Sequence, residues 1–490
     1  MNEETALPQQ DKIRQLIDLA VESGRSRQSE QTGYLHYYYH QEDGIHLSIP
    51  TYENMLFALA LLRTKTAENI LEAKSLIEKL LYFQNGESGN FPIYLHEYPQ
   101  CKDRSTGVRL LLPMYWICRL FSHILPSELR SRLEESLKSL IEYCITAHKE
   151  KPFAYPLAVK TAASCKALGG LWLLKDIENA GELLLEQLKE DSTQWSVSSN
   201  IAEILASLQM LNPNISQSPW KAFWDFVDGS WHADSYCYAG PAVKESQREF
   251  EPKAALYDLF LGYYSGAFSK RAEQKFTHHL QGALIQPSTD HLSLKNYPVK
   301  LQGKHLESSW TMIQEKEYAL STVEALSNDK NFHCFRLLWG NQSRTHSLVC
   351  QGGNYNVISS EVLPDICEFI FSLSDVVQCD DREKSREIAF FFDLQDGAAI
   401  TVEGHPSTTF QLNERLLICT DLLSFELTFS LMEGDGQFLG HIMMGNRPSQ
   451  MANSGENRFK AYDWQIFLRT IKRSSACRIK AFLKVIGNTL

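Results

Sequence analysis

No stretch of the 490-residue chain supplies the ~20 consecutive apolar residues that a membrane-spanning helix needs; the best run, Met55 to Leu62, is far too short. Met1 to Gln10 has neither a basic nor an apolar segment, so no secretory leader is expected, and a cytoplasmic location is. Positive charge is in deficit: 48 basic against 59 acidic side chains leave a net charge of −11. A general nucleic-acid binder needs a basic footprint to displace counterions, so that class is excluded, while a local basic pocket for an acidic ligand is not. The eleven cysteines, scattered from Cys101 to Cys477, form no CxxC pair. Free buried thiols in a reducing compartment fit this usage better than a disulfide framework or a zinc site. Walker A, GxGxxG, GxSxG and kinase signatures are all missing, which leaves nucleotide binding and serine hydrolysis without support. Disorder is excluded too, because 43% of the residues are hydrophobic.

What is present changes period near residue 300. The first part reads as about eleven helices by apolar spacing. Examples are Asp11 to Ser23, Thr51 to Arg63, Ala67 to Phe83, Val108 to Leu125, Ser127 to Ala147, Leu157 to Leu174, Ile177 to Lys189 and Ser198 to Leu211. Pro219 to Phe226, Pro252 to Tyr264 and Lys270 to Leu284 complete the set. Some junctions are tight, such as Leu125-Pro126-Ser127; others are long and rich in Gly, Pro, Tyr and His, notably Ser23 to Pro50, Asn85 to Arg104 and Asp228 to Pro252. Short and long links alternate when helical hairpins stand in a ring, with short turns on one rim and long loops at the opposite mouth.

From Glu317 onward the pattern becomes short β-type runs, such as Cys367 to Leu373, Glu387 to Leu394, Ser424 to Leu431 and Cys477 to Ile486, divided by turns such as Gly352-Gly353-Asn354 and Gly434-Asp435-Gly436. Around ten such strands indicate an antiparallel sandwich. The expected architecture is an α+β multidomain chain: an N-terminal α/α toroid, an incomplete barrel of helical hairpins over residues 1–300, then a C-terminal antiparallel β-sandwich over 311–490. Tyr297-Pro298 to Trp310 reads as the linker.

The segment richest in chemistry is Asp228 to Glu251, DGSWHADSYCYAGPAVKESQREFE, which is longer and more aromatic than ordinary connectors. Asp228-Gly229-Ser230-Trp231-His232, followed by Tyr236, Tyr238 and Gly240, resembles the DGSF…H…Y-x-G segment of the hyaluronate and chondroitin polysaccharide lyases, a group in which the heparinase II/III type also stands. His232 follows the aromatic directly, where the family has intervening residues, and Pro241 stands where a Tyr-Gly would continue. The resemblance implies a toroid joined to β-sandwich domains and a catalytic Asn, His and Tyr. It assigns these to Asn200, His232, and Tyr236 or Tyr238. It also implies β-elimination on a uronate, with an anionic oligosaccharide as partner and no cofactor or metal. Asn200 with Lys244 or Arg248 would then meet the uronate carboxylate as donors. His232 or a tyrosine would take the proton, and a tyrosine would return one to the leaving oxygen. Trp195, Trp231 and Tyr236 offer faces on which sugars can stack.

Two further clusters bear on binding. Tyr34 to His46 contains His36, Tyr38, His40 and His46; without a HExxH or close His-x-His pattern it reads as mouth lining or sugar stacking rather than a metal site. Glu97, in Gly89 to Arg104, could pair with Asp234 or Glu251 as the two carboxylates of a glycoside hydrolase on an α/α barrel. A catalytically silent carbohydrate- or protein-binding scaffold is the third reading. His278-His279 reads as exposed helix surface, and the late basic run that includes Arg478, Lys480 and Lys484 as a solvated sheet face.

Overall fold

The computed structural model describes residues 9–41, 44–189, 195, 198–235, 237–241, 276–305, 308–324, 334–341, 345–351, 355–373, 386–392, 399–444 and 464–487. In the first half, helices that are apolar on every side alternate with helices that are apolar on one. α2 (Thr51–Thr64), α4 (Thr106–Phe121) and α6 (Tyr155–Trp172) are buried over most of their length. α3 (Ala67–Leu81), α5 (Ser127–Glu150) and α7 (Lys175–Lys189) bury single stripes. All-round apolarity demands neighbours on all sides, so the first set forms an inner layer and the second an outer one. Each inner helix packs on the outer helix that follows it, and α2, α4, α6 and α8 (Ser198–Leu208) pack side by side. α1 (Gln9–Arg25) and the short α10 (Phe276–Gln281) close onto α2. Arg63 secures that closure by donating to the Ala283 and Ile285 carbonyls at 2.5 and 2.7 Å.

The hairpin of α6 and α7 depends on two glycines. A Cβ on Gly169 or Gly181 would come within 2.4 Å of a backbone nitrogen of the opposing helix, Glu178 or Lys166. Only a side chain of hydrogen lets the two backbones lie this close.

Among the described residues, fifteen strands of the second half form two antiparallel sheets. One runs β10 (Tyr355–Val362), β11 (Ile366–Leu373), β19 (Cys477–Gly487), β16 (Ser424–Glu433), β15 (Leu416–Cys419), β13 (Ala399–Val402). The other runs β14 (Thr409–Phe410), β17 (Gly436–Met444), β18 (Trp464–Arg473), β12 (Arg386–Phe392), β9 (Thr345–Gln351), β8 (Phe335–Gly340), β7 (Tyr318–Glu324), β6 (Ser308–Gln314), β5 (Val299–His305). Alternation decides which residues meet: Cys367, Phe369, Phe371 and Leu373 of β11 point inward, as do Ile479, Ala481 and Leu483 of β19. Aromatic pairs cross the core, with Phe335 edge-on to Phe369 and Phe390 edge-on to Phe429. On the outer face Lys480 and Arg478 pair with Glu368 and Glu433, which fits the expected solvated face.

The linker expectation fails. Residues 299–314 are the β5–β6 hairpin, so the sheet region begins at Val299 and follows the helical half almost directly. Trp310, Met312, Ala319, Val323 and Leu338 bury the other face of β6–β8 against Phe226 and Ala239 of the helical half. A sheet covered on both faces shows weak alternation, and for that reason β6 does not read as a strand in the sequence. A second surprise is a hairpin inside the helical half, β1 (Tyr37–Gln41) with β2 (Gly44–Ser48). The helix expected over 252–264 lies outside the described residues.

None of the nine cysteines whose side chains are described is in a disulfide; Cys118, Cys144 and Cys165 are buried among helices, and Cys334, Cys350, Cys367 and Cys477 in the sheets. Burial pushes the Cys118 and Cys165 thiols up to about 12. Among the described residues no helix is long and apolar enough to cross a membrane.

Candidate functional site

The described residues from Asp228 to Tyr238 tie the two halves together. α9 (Lys221–Ser230) runs straight into β3 (Trp231–His232), which turns back as β4 (Cys237–Tyr238). His232 is 0% exposed. Its Nε2 lies 3.1 Å from the Glu315 carbonyl, which can only accept, so Nε2 carries the proton. Nδ1 accepts from the Ser235 hydroxyl and from the Ser235 amide at 3.3 Å. Burial, reinforced by the Lys295 and Arg336 charges against the opposing pull of the Glu315 carbonyl, drops its pKa to about 4. A neutral ring with both nitrogens engaged and no exposure offers nothing to a substrate proton.

Its neighbours are equally committed. Trp231 is 1% exposed, and Lys295 donates to its carbonyl. Arg336, itself buried, donates to the carbonyls of Tyr238 at 2.8 Å and Gly240 at 3.2 Å. Gln314 donates to the Gly229 carbonyl at 2.6 Å. Tyr238 is buried, and burial raises its phenol further above its usual range. Trp195 donates from Nε1 to the Tyr155 hydroxyl at 3.1 Å and stands edge-on to Phe223. The expected catalytic places of His232 and Tyr238, and the stacking places of Trp195 and Trp231, are therefore corrected: these rings are packed inside the protein. Tyr236, Lys244 and Arg248 lie outside the described residues.

Polar groups gather instead where the inner helices begin. Those helices run parallel to one another because each returns through an outer one, so their N-termini share one mouth. Early turns there carry Tyr52 and Glu53 on α2, Arg109 on α4, Lys160 on α6, and Asn200 and Glu203 on α8, while α10 adds Thr277, His278 and, at its end, Gln281. Lys160 is 0% exposed and donates to Glu203 Oε2 at 2.5 Å, while the Glu203 side chain keeps 29% exposure. Burial pushes the Glu203 carboxyl up, but Lys160 above all, with Arg109 and His278, holds it below its usual value. Arg109 is exposed. Within α4, Pro113 has no N–H to give to the Arg109 carbonyl. Tyr37 and Thr277 donate to Glu53 Oε1 at 2.7 and 3.0 Å, fastening β1 to the rim. Burial first, then the nearby carboxylates, raises the Tyr37 and Tyr52 phenols, so both remain protonated donors.

No protein-family model and no curated protein matches the chain. Solved structures do. Heparinase III matches with a TM-score of 0.52 over 98% of this chain and 85% of that one, at 8% identity. Chondroitin AC lyase of Streptomyces coelicolor A3, in complex with chondroitin sulphate, matches with a TM-score of 0.52 over 100% of this chain and 80% of that one, also at 8% identity. The fold is polysaccharide lyase-like.

Within this lyase-like scaffold, the helical half followed by sheets is the expected architecture, and one expected site residue, Asn200, lies at the mouth, a single turn before Glu203 on the same helix. His36 contacts the Thr32 hydroxyl at 3.0 Å beside the β1 strand, and burial lowers its pKa. Tyr38 lies in β1 opposite Leu47, and its side chain is outside the described ones. Glu97 accepts from the Ile93 amide at 3.2 Å, which closes its own turn. His278, expected on a helix surface, is half-buried and acts electrostatically on Glu203. The residues missed in the sequence are Tyr52, Glu53, Arg109, Lys160 and Glu203. A usable signal existed: each of the four charges interrupts an otherwise apolar inner helix, and an unpaired charge is almost never fully buried.

Proposed function

We propose that the lyase-like protein binds an anionic, uronate-bearing oligosaccharide at the inner-helix mouth and acts on it by β-elimination. The observation that carries this reading is the exposed Arg109 acting on Glu203, which stands one turn from Asn200 on α8. A guanidinium fork matches a carboxylate, and converging helix N-termini favour negative charge. Arg109 and Asn200 would hold the uronate carboxylate and the enolate charge that develops as the adjacent carbon loses its proton. His278, rather than the sealed His232, is the base in this scheme, since histidine ordinarily titrates nearest neutral pH. The electron pair forms the ring double bond and expels the glycosidic oxygen, which takes a proton from a protonated phenol or water.

The test is the ultraviolet absorbance of an unsaturated uronate during incubation with a panel of glycuronans. Arg109→Ala is expected to lower kcat/KM by about 100-fold, the scale for removing one preorganised charge donor. His278→Ala should abolish turnover while binding, followed by calorimetry, persists. A second reading, a binding protein without turnover, draws support from the sealed His232; bound oligosaccharide that never gains absorbance would establish it.

A further inference from the structure

Glu203 differs from the other mouth residues because its surroundings fix both its charge and its direction. Along Ile201 to Leu208 every residue but Glu203 is buried. Beneath it Lys160, wholly buried, donates to one carboxylate oxygen. An ammonium in that position cannot give up its anion without leaving an uncompensated buried charge, so the ion pair stays intact. One oxygen of the carboxylate is thus spent on Lys160, and the side chain, only 29% exposed, keeps further acceptor lone pairs and its negative charge. An ionised carboxylate only accepts hydrogen bonds.

A second group independently calls for the same chemistry. Gln281, 5% exposed on α10, donates from Nε2 to the Tyr52 hydroxyl at 3.1 Å. Its Oε1 is buried and has no hydrogen-bond partner among the described residues. Tyr52 lies within the fields of Glu203, Glu53 and Arg109, which places this orphaned acceptor at the same mouth. Buried acceptors left unpaired cost free energy that a hydroxyl-bearing ligand recovers. The mouth therefore offers one exposed cation and two acceptors in want of donors.

We propose that Glu203 is a specificity residue, admitting a saccharide that brings free hydroxyls beside the acid group held by Arg109 and rejecting one sulfated at that position. This rests on the oligosaccharide-binding reading above and adds to it the class of sugar. A sulfate set against Glu203 meets a fixed like charge in a partly desolvated place, where repulsion is weakly screened. Hydroxyls from the same ring satisfy both Glu203 and Gln281.

The experiment compares an unsulfated glycuronan oligosaccharide with the chemically sulfated form of the same backbone, by calorimetry at fixed ionic strength. The full-length protein is expected to bind the unsulfated form at least ~10-fold more tightly. Glu203→Gln should bring the two affinities to within about threefold, mainly by strengthening the sulfated ligand. Arg109→Ala should weaken both and leave their ratio in place. Glu203→Asp, which keeps the charge, should keep the preference. Lys160→Met combined with Glu203→Gln removes both charges, and should lose the preference even where Glu203→Gln alone folds poorly. Binding by the wild type with a ratio that neither Glu203→Gln nor the double variant alters overturns the role of Glu203 and leaves the binding reading standing. Absence of binding by either ligand overturns that reading itself.

Discussion

Arg336→Leu is expected to destabilise the protein by about 3–6 kcal/mol, two charge-assisted hydrogen bonds to buried carbonyls at roughly 1.5–3 kcal/mol each. The guanidinium is 2% exposed, and its two Nη groups hold the Tyr238 and Gly240 carbonyls. Leucine fills much of the volume and restores neither bond, so the Tyr238 carbonyl loses its Arg336 donor and the Gly240 carbonyl keeps the Ser321 hydroxyl but loses the guanidinium. The loss should appear as a lower midpoint in urea, and as faster proteolytic cutting within residues 228–241 before global unfolding. Arg336→Lys, which retains charge but not the fork, should recover only part of the stability. Equal midpoints for Arg336→Leu and wild type would mean that this junction holds the two halves through apolar contact alone.

Acidification from pH 7.5 to 4.5 should remove about 3 kcal/mol through His232 alone. In the unfolded chain the imidazole binds its proton near 6.5, in the native protein only near 4. Between those values the unfolded state holds more protons, so stability is complete above about 6.5 and falls with pH until about 4, at close to 1.4 kcal/mol for each unit. His36 and His148 are lowered by burial as well and add to the slope. Comparison with His232→Gln therefore isolates the term: the variant starts less stable at pH 7.5 and loses less on acidification. Parallel pH curves for the two proteins would show that His232 is not sealed as described.

The architecture was legible wherever one face of an element meets water. β11, ICEFIFSL, alternates strictly because its outer face is half exposed, and α2 betrays its inner position through an unbroken apolar run. β6 hid because the helical half covers its second face, and TYENMLFALALL concealed Glu53 because one charge hardly alters an average. The conspicuous DGSWHADSYCYAG segment misled for a physical reason. Rings and polar groups crowd together there to join two domains, and the same residue types serve catalysis elsewhere. The mouth was illegible because its members, from Glu53 to His278, contribute one or two groups per helix, and only ring closure brings them into one place. Asn200 was within reach because it precedes an apolar helix; Lys160 and Glu203 each stand out as a charge in an apolar helix, but residues so far apart along the chain leave no local pattern that pairs them.

The disulfide-free cysteines described above divide between the two halves, and that distribution supplies each half with its own clock. Thiols raised this far by burial react only when their surroundings open, so alkylation of Cys118, Cys144 and Cys165 times exposure of the helices. Modification of Cys334, Cys350 and Cys367 times the sheets. Peptide mass mapping of a single labelling series would then order the two openings without any engineered probe.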